Sequence, residues 1–117
     1  MPYKLVIKNK DQERTLKREE APMLENLLDA LKIQRLETEM FGGKTNPTDA
    51  QIERRLKLLA EFAARFWGHG LTVKEIMTGV SSIDGFNAIE NAVAATLGMS
   101  VDDDEDDEKG KDKKPKK

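Results

Sequence analysis

Residues 48–70 read TDAQIERRLKLLAEFAARFWGHG, and this stretch decides the fold. It opens with a capping box, because the Thr48 hydroxyl can accept a backbone amide hydrogen bond while the Gln51 side chain reaches back to the cap. Gly68 and Gly70 predict its end, since glycine accepts the left-handed conformation found at helix C-termini. Between these signals runs an apolar stripe: Ile52, Leu56, Leu59, Ala60, Ala63, Phe66 and Trp67, widened by Leu58 and Phe62. We therefore predict a long amphipathic helix that is the most buried element of the protein.

The N-terminal segment has the pattern of a β-hairpin. In residues 3–9, YKLVIKN, apolar and more polar positions alternate with the period of two expected for a half-buried strand. Residues 10–12 are polar and turn-like, and residues 13–17 can return as a second short strand. An isolated hairpin is only marginally stable in water, so we expect this one to pack on the helices that follow it.

A leucine-rich helix is predicted between the hairpin and the central helix, over about residues 22–39. Pro22 suits its first turn, because proline lacks the amide hydrogen that would be unsatisfied there. Apolar residues recur along it at helical spacing: Leu24, Leu27, Leu28, Leu31, Leu36 and Met40. The pattern predicts that these residues form the buried face of the helix.

Two helices are predicted after the central one. Residues 72–79 begin with a second capping box and end at a glycine, which predicts a short helix. Ser81 or Ser82 can cap a last helix over residues 83–97, closed by Gly98. The predicted fold class is therefore α+β, a short N-terminal β-hairpin packed on a mostly helical bundle of about four helices.

The charge distribution divides the chain into a body and a tail. Residues 101–117 contain eight acidic and six basic side chains, which leaves 14 of each sign in the rest of the chain. The tail composition predicts a disordered charged segment, so we expect one domain over residues 1–100 and a tail over residues 101–117. The neutral body lacks the basic excess typical of nucleic-acid-binding domains. No apolar run approaches the length that crosses a bilayer, and the 117 residues contain no cysteine.

Glycines and a lysine in the stretch FGGKTNPTDAQ, residues 41–51, resemble the end of a phosphate-binding loop. That loop needs a glycine five positions before Gly43, and Thr38 stands there instead. The loop should also follow a strand, whereas this stretch follows the predicted leucine-rich helix. We therefore interpret it as a linker between two helices. His69 is the only histidine and has no second ligand nearby in sequence, so no catalytic, cofactor or metal site is predicted and the protein is not expected to be an enzyme.

The most prominent aromatic pair lies at the end of the central helix. Phe66 and Trp67 are adjacent, so on a helix their side chains point about 100° apart. Either both belong to the core or its rim, or one of them anchors a partner, as aromatic residues often do. The candidate partner-binding residues are Leu58, Phe62, Phe66 and Trp67.

Three stretches in order carry a resemblance to a known family. Residues 3–19, YKLVIKNKDQERTLKRE, are similar to its N-terminal hairpin, and residues 22–37, PMLENLLDALKIQRLE, are similar to its first helix. Residues 66–98, FWGHGLTVKEIMTGVSSIDGFNAIENAVAATLG, resemble its core motif and final helix. The family is that of the tail assembly chaperones of long-tailed bacteriophages, in the form common among phages of Gram-positive hosts.

This resemblance implies a non-enzymatic protein of the host bacterial cytoplasm that is absent from the finished virion. The implied partners are the tape measure protein, which the chaperone coats and keeps soluble, and tail tube subunits, which it recruits. Self-association is also compatible with the family, whereas cofactor, nucleic acid and membrane are not implied. Many members are made in two lengths by ribosomal frameshifting, and the lysine pairs at residues 113–114 and 116–117 are candidate positions for it.

Two other functions remain open at the level of sequence. The short helix of residues 72–79 and the helix after it permit a small helix-turn-helix DNA-binding regulator. The second of these helices carries Asp84 and Glu90 but no arginine or lysine, so it would repel the phosphates that it has to approach. The third possibility is an oligomeric scaffold.

Overall fold

The computed structural model describes residues 3–43 and 45–99. It confirms the predicted α+β class, a two-stranded antiparallel hairpin followed by four helices. The predicted tail at residues 101–117, the domain boundary before it and the lysine pairs near the C-terminus lie outside the described residues. The elements in chain order are β1 (Tyr3–Asn9), β2 (Gln12–Arg18), α1 (Leu24–Phe41), α2 (Asp49–Trp67), α3 (Val73–Gly79) and α4 (Asp84–Thr96).

The hairpin packs one face on the helices. Its strands pair from Tyr3 with Arg18 to Asn9 with Gln12, and a two-residue turn joins them. The first turn residue, Lys10, has a φ of 55°, the positive value that tight hairpin turns require. The inward side chains are Leu5, Ile7 and Leu16, all buried in the core. Burial of this face explains how a hairpin too small to be stable alone persists here.

Helix α2 is the centre of the core, as its pattern predicted. Leu59, Phe62, Ala63 and Phe66 are buried among the hairpin and the other helices. Both threonine capping boxes form: Gln51 N donates to Thr48 Oγ1 over 3.1 Å, and Glu75 N donates to Thr72 Oγ1 over 3.1 Å. The two helix starts predicted from these boxes are therefore confirmed.

Two predicted caps differ from the structure in detail. Helix α1 begins one residue after Met23, not at Pro22, and Met23 N donates to Asn26 Oδ1 over 2.8 Å. Helix α4 begins at Asp84, and Gly85 N donates to Ser81 Oγ over 2.8 Å, so Ser81 is the serine that satisfies an amide of the first turn. In each case a side chain nearby accepts an amide hydrogen that the helix itself leaves unpaired.

The face of α1 that contacts the core is not the one that its leucines predicted. Leu36 and Met40 are buried as expected, but Leu24, Leu28 and Leu31 are exposed and Leu27 is half-buried. The buried face consists of Asn26, Asp29, Ala30, Ile33, Leu36 and Met40. The Asp29–Arg65 pair joins this face of α1 to α2. Asn26 is fully buried and accepts from the Met23 amide, and its Nδ2 atom has no hydrogen-bond partner among the described residues.

Gly79 lies where α3 ends against β1. A Cβ atom on Gly79 would lie 2.7 Å from Ile7 Cγ2 and 3.1 Å from the Lys8 carbonyl oxygen. The sequence predicted this glycine only as a helix stop. The structure adds that it lets the helix approach the strand more closely than a side chain permits.

Replacing Gly79 with alanine is expected to lower the free energy of unfolding by about 1–3 kcal/mol, because overpacking outweighs the better helix propensity of alanine. In a domain of this size that is a fall in Tm of roughly 4 °C or more. The matched control is Gly43→Ala, where a Cβ atom meets nothing within 4 Å and Tm should hardly change. Equal Tm values for the two variants would show that α3 does not pack closely against β1 at Gly79.

Candidate partner-binding surface

Three of the four residues predicted to bind a partner lie in the core. Phe62, Phe66 and Trp67 are each at most 3% exposed, and Leu58 is partly buried against the same cluster. The Phe66 ring stacks on Phe62 at 5.1 Å and meets the edge of Tyr3 at 5.1 Å. Partner binding through these four residues stays a prediction, and it would require the core to open.

The aromatic cluster joins the hairpin to α2. Trp67 Nε1 donates to the Tyr3 carbonyl oxygen over 3.1 Å, and the Arg18 guanidinium lies 4.5 Å from the centre of the Phe66 ring. Arg18 Nη1 also donates to the Phe66 carbonyl oxygen over 2.7 Å, which satisfies an acceptor at the end of the helix. Both neighbouring aromatics fit in one core because their rings meet edge to face at 4.9 Å, with Trp67 bonded to β1 and Phe66 packed between Tyr3 of the hairpin and Phe62.

Arg55 holds three helices together. Its Nε atom donates to Glu37 Oε2 of α1 over 2.8 Å, and its Nη2 atom donates to Glu90 Oε2 of α4 over 2.9 Å. The guanidinium also lies between two aromatic rings, 5.9 Å from the centre of Phe41 and 5.6 Å from that of Phe86. The side chain is 20% exposed, so these charge-assisted bonds are only partly screened by water.

A second ion pair joins α1 to α2 further along. Arg65 Nε donates to Asp29 Oδ2 over 2.7 Å and Arg65 Nη2 donates to Asp29 Oδ1 over 3.1 Å. These hydrogen bonds and the carboxylate charge raise the pKa of Arg65 above its ordinary value. A raised pKa on a basic group contributes stability that is present below its ordinary pKa, so the contribution of Arg65 is present at neutral pH and is lost when the guanidinium deprotonates in strong alkali.

An apolar groove opens between α2, α3 and α4. Its volume is about 190 Å³, and Met77 and Leu56 stand at its exposed edge. Ile52, one turn before Leu56, and Ile83, just before α4, are also exposed. The lining consists of Leu56, Leu59, Ala60, Ile76, Met77, Val80, Ser81, Ser82, Phe86 and Ile89, with no charged side chain. The groove is therefore an accessible apolar surface, and several of the residues that line it belong to the core.

A second apolar surface is the outward face of α1. Leu24, Leu28 and Leu31 are spaced at i, i+4 and i+7, which places them in one stripe on the side away from the core. We call these three residues the α1 stripe. Sequence periodicity found the leucines but assigned them to the core. Neither surface was among the predicted sites. The only indication in the sequence was that the leucines of α1 outnumber the polar Asn26 and Asp29.

The remaining candidates have ordinary structural roles. Residues 42–48 connect α1 to α2, so the glycine-lysine-threonine stretch follows a helix, as the linker interpretation required. His69 is exposed, with a φ of 60° between two glycines of positive φ. Within residues 3–43 and 45–99, no group of three acidic or histidine side chains could hold a metal ion. No helix in the described ranges is long and apolar enough to cross a membrane.

Comparison with known proteins gives one family. A family model described as phage tail chaperone protein matches residues 1–117, the whole of the sequence. No match was found among curated proteins or among solved structures. The match confirms the resemblance carried by the hairpin, the first helix and the last two helices, and it favours a non-enzymatic role. The chain belongs to the phage tail chaperone family.

Proposed function

We propose that this protein binds the tape measure protein of its phage, keeps it soluble and recruits tail tube subunits to it during tail assembly. The observation that carries the proposal is the family match over residues 1–117. The accessible apolar groove between α2, α3 and α4 supports it, because a chaperone that holds another chain needs apolar surface exposed to water.

The groove between α2, α3 and α4 is the surface that we assign to the tape measure protein. Its lining is apolar apart from Ser81 and Ser82, so it suits an amphipathic helix that inserts one or two large apolar side chains. Met77 at its edge adapts to different side chains because its thioether is flexible and polarisable. These properties suit a partner whose many segments differ in sequence. Phe62 and Phe66, which were predicted to bind a partner, do not line this groove.

The DNA-binding alternative gains no support from the structure. Helix α4, its recognition helix in that hypothesis, carries no arginine or lysine from Asp84 to Thr96. Its Glu90 carboxylate is engaged with Arg55 inside the bundle.

The proposed role also includes action in the host cytoplasm, absence from the finished virion and a longer frameshifted product. The coding DNA around the C-terminal lysines tests the last of these.

Co-expression tests the proposed function. We expect this protein to raise the soluble yield of the tape measure chain several-fold and to copurify with it. The charge introduced by Met77→Glu should abolish most of that gain, because the edge of the groove would then have to bury a carboxylate. The matched control is Met99→Glu, since Met99 is about as exposed as Met77 but lies away from the groove. Both variants should retain the wild-type Tm.

Two outcomes would count against this proposal. If the tape measure chain stays insoluble and does not copurify, the chaperone does not act on it, and the same assay with the tail tube subunit identifies the other partner. If Met77→Glu and Met99→Glu are equally active, the tape measure protein binds elsewhere on the body.

A further inference from the structure

We propose that the α1 stripe is the contact surface of a homodimer in which the α1 helices of two copies pack antiparallel. Leu24 is 81% exposed, Leu28 57% and Leu31 45%, although they lie within two turns of a single helix. Exposed leucines at this spacing form a contiguous apolar patch, which is typical of a protein contact. The inference goes beyond the proposed function and does not depend on it.

The leucine spacing is self-complementary. Leu24 lies four residues before Leu28, and Leu31 lies three residues after it. If two α1 helices run antiparallel about a two-fold axis at Leu28, Leu28 meets Leu28 and Leu24 of each copy meets Leu31 of the other. The two spacings differ by one residue, a mismatch of about 1.5 Å, which leucine side chains absorb readily.

The charged residues beside the stripe favour a second copy of the chain as the partner, with its α1 helix running antiparallel. Glu25 and Lys32 are seven residues apart, so they lie on the same edge of α1 to within about 20°. Their midpoint falls within one residue of Leu28. An antiparallel pair therefore places Glu25 of each copy beside Lys32 of the other, twice by symmetry. In a parallel pair the same edges would lie on opposite sides of the interface, so Glu25 and Lys32 would not face each other across it.

Both charged residues are available for such contacts. In residues 3–43 and 45–99 neither Glu25 nor Lys32 forms an ion pair, and both are exposed. The opposite face of α1 is occupied by the Asp29–Arg65 and Glu37–Arg55 pairs, which fix the rotation of the helix. The stripe is thus held facing outward, and dimerisation needs no rearrangement of the body.

Sedimentation equilibrium of the full chain at micromolar to millimolar concentration tests the proposal. The patch is smaller than a standard interface, so we expect a dimer with a Kd on the order of 1–100 μM. Leu28→Glu should weaken it about 100-fold, because the change lies at the axis and acts in both copies. Ile83→Glu is the control: Ile83 is also exposed but lies just before α4, away from the stripe, and this variant should dimerise like the wild type.

Charge reversal tests the antiparallel arrangement itself. Glu25→Lys alone and Lys32→Glu alone each place like charges together across the axis and should weaken the dimer about tenfold or more. The double variant E25K/K32E restores opposite charges and should return the Kd to within about threefold of wild type. Circular dichroism and Tm confirm that each variant is folded, since these residues lie on the surface.

The proposal is overturned if the wild type stays monomeric at the highest concentration, if Leu28→Glu leaves the dimer unchanged, or if the double charge variant fails to recover. The purified chain alone is sufficient for the dimer measurements, so their failure is independent of any result with the tape measure protein.

Discussion

Phe66→Ala is expected to lower the free energy of unfolding by about 3–5 kcal/mol, which removes much of the stability of a domain of this size. The ring is 1% exposed and contacts Tyr3, Phe62 and Trp67, so its removal leaves a cavity at the junction of the hairpin and α2. The Arg18 guanidinium also loses the ring beneath it. Urea unfolding followed by far-ultraviolet circular dichroism measures the change.

Phe41→Ala is the matched control for that substitution. Phe41 is 62% exposed at the end of α1, and its main contact is a distant one with Arg55, so its loss should cost less than about 1 kcal/mol. The comparison also bears on function. If Phe66→Ala greatly lowers the free energy of unfolding, weakened partner binding by this variant reports unfolding of the core. If it lowers that free energy only slightly, Phe66 becomes a candidate for direct contact with a partner again.

Arg55→Met is expected to lower the free energy of unfolding by about 2–3 kcal/mol. The methionine keeps much of the aliphatic packing but leaves the carboxylates of Glu37 and Glu90 without their shared partner inside the bundle. Complete burial would cost about 3–5 kcal/mol, and the partial exposure of all three side chains reduces that figure. Thermal unfolding at low salt measures the effect.

Arg54→Met provides the control for Arg55, because it changes the same residue type one position earlier. Arg54 is exposed and forms no ion pair within the described ranges, so the Tm of this variant should stay within about 2 °C of wild type. If both variants unfold at the same temperature, the three helices do not depend on Arg55 for their arrangement.

Local signals in the sequence were sufficient for the elements of the fold. The alternation in residues 3–9, the capping boxes at Thr48 and Thr72 and the glycine stop at Gly68 each involve residues close together in the chain, and the structure confirms all of them. The α+β arrangement follows because the hairpin and α2 both present apolar faces that have to be covered. Family membership followed from the order of the same elements.

The rotation of α1 and the close packing of Gly79 against β1 could not be predicted in the same way. The inner face of α1 includes Asp29, whose partner Arg65 lies 36 residues away in sequence. Counting apolar residues on α1 favours the leucines, and only the contact with α2 reverses that preference. In the sequence alone Gly79 likewise predicts only a helix end. Its close contact with Ile7 of β1 is evident only in the structure.

The candidate site was the least predictable part, for a related reason. Large aromatic residues at the end of a helix are typical both of a core and of a binding anchor, and burial alone distinguishes the two. Here the hairpin covers Phe66 and Trp67, while Met77 and the α1 stripe stay accessible. The exposed surfaces depend on which faces the bundle leaves uncovered, and that is decided by packing between distant segments.

The function that we propose is that this protein holds the tape measure chain in solution. The most direct measurement dilutes purified tape measure protein from denaturant into increasing amounts of this protein and records the fraction that stays in the supernatant after centrifugation. We expect the soluble fraction to rise with the molar ratio and to reach a plateau at a fixed stoichiometry. If the tape measure protein precipitates as completely as it does with an unrelated helical protein of the same size, the claim is wrong.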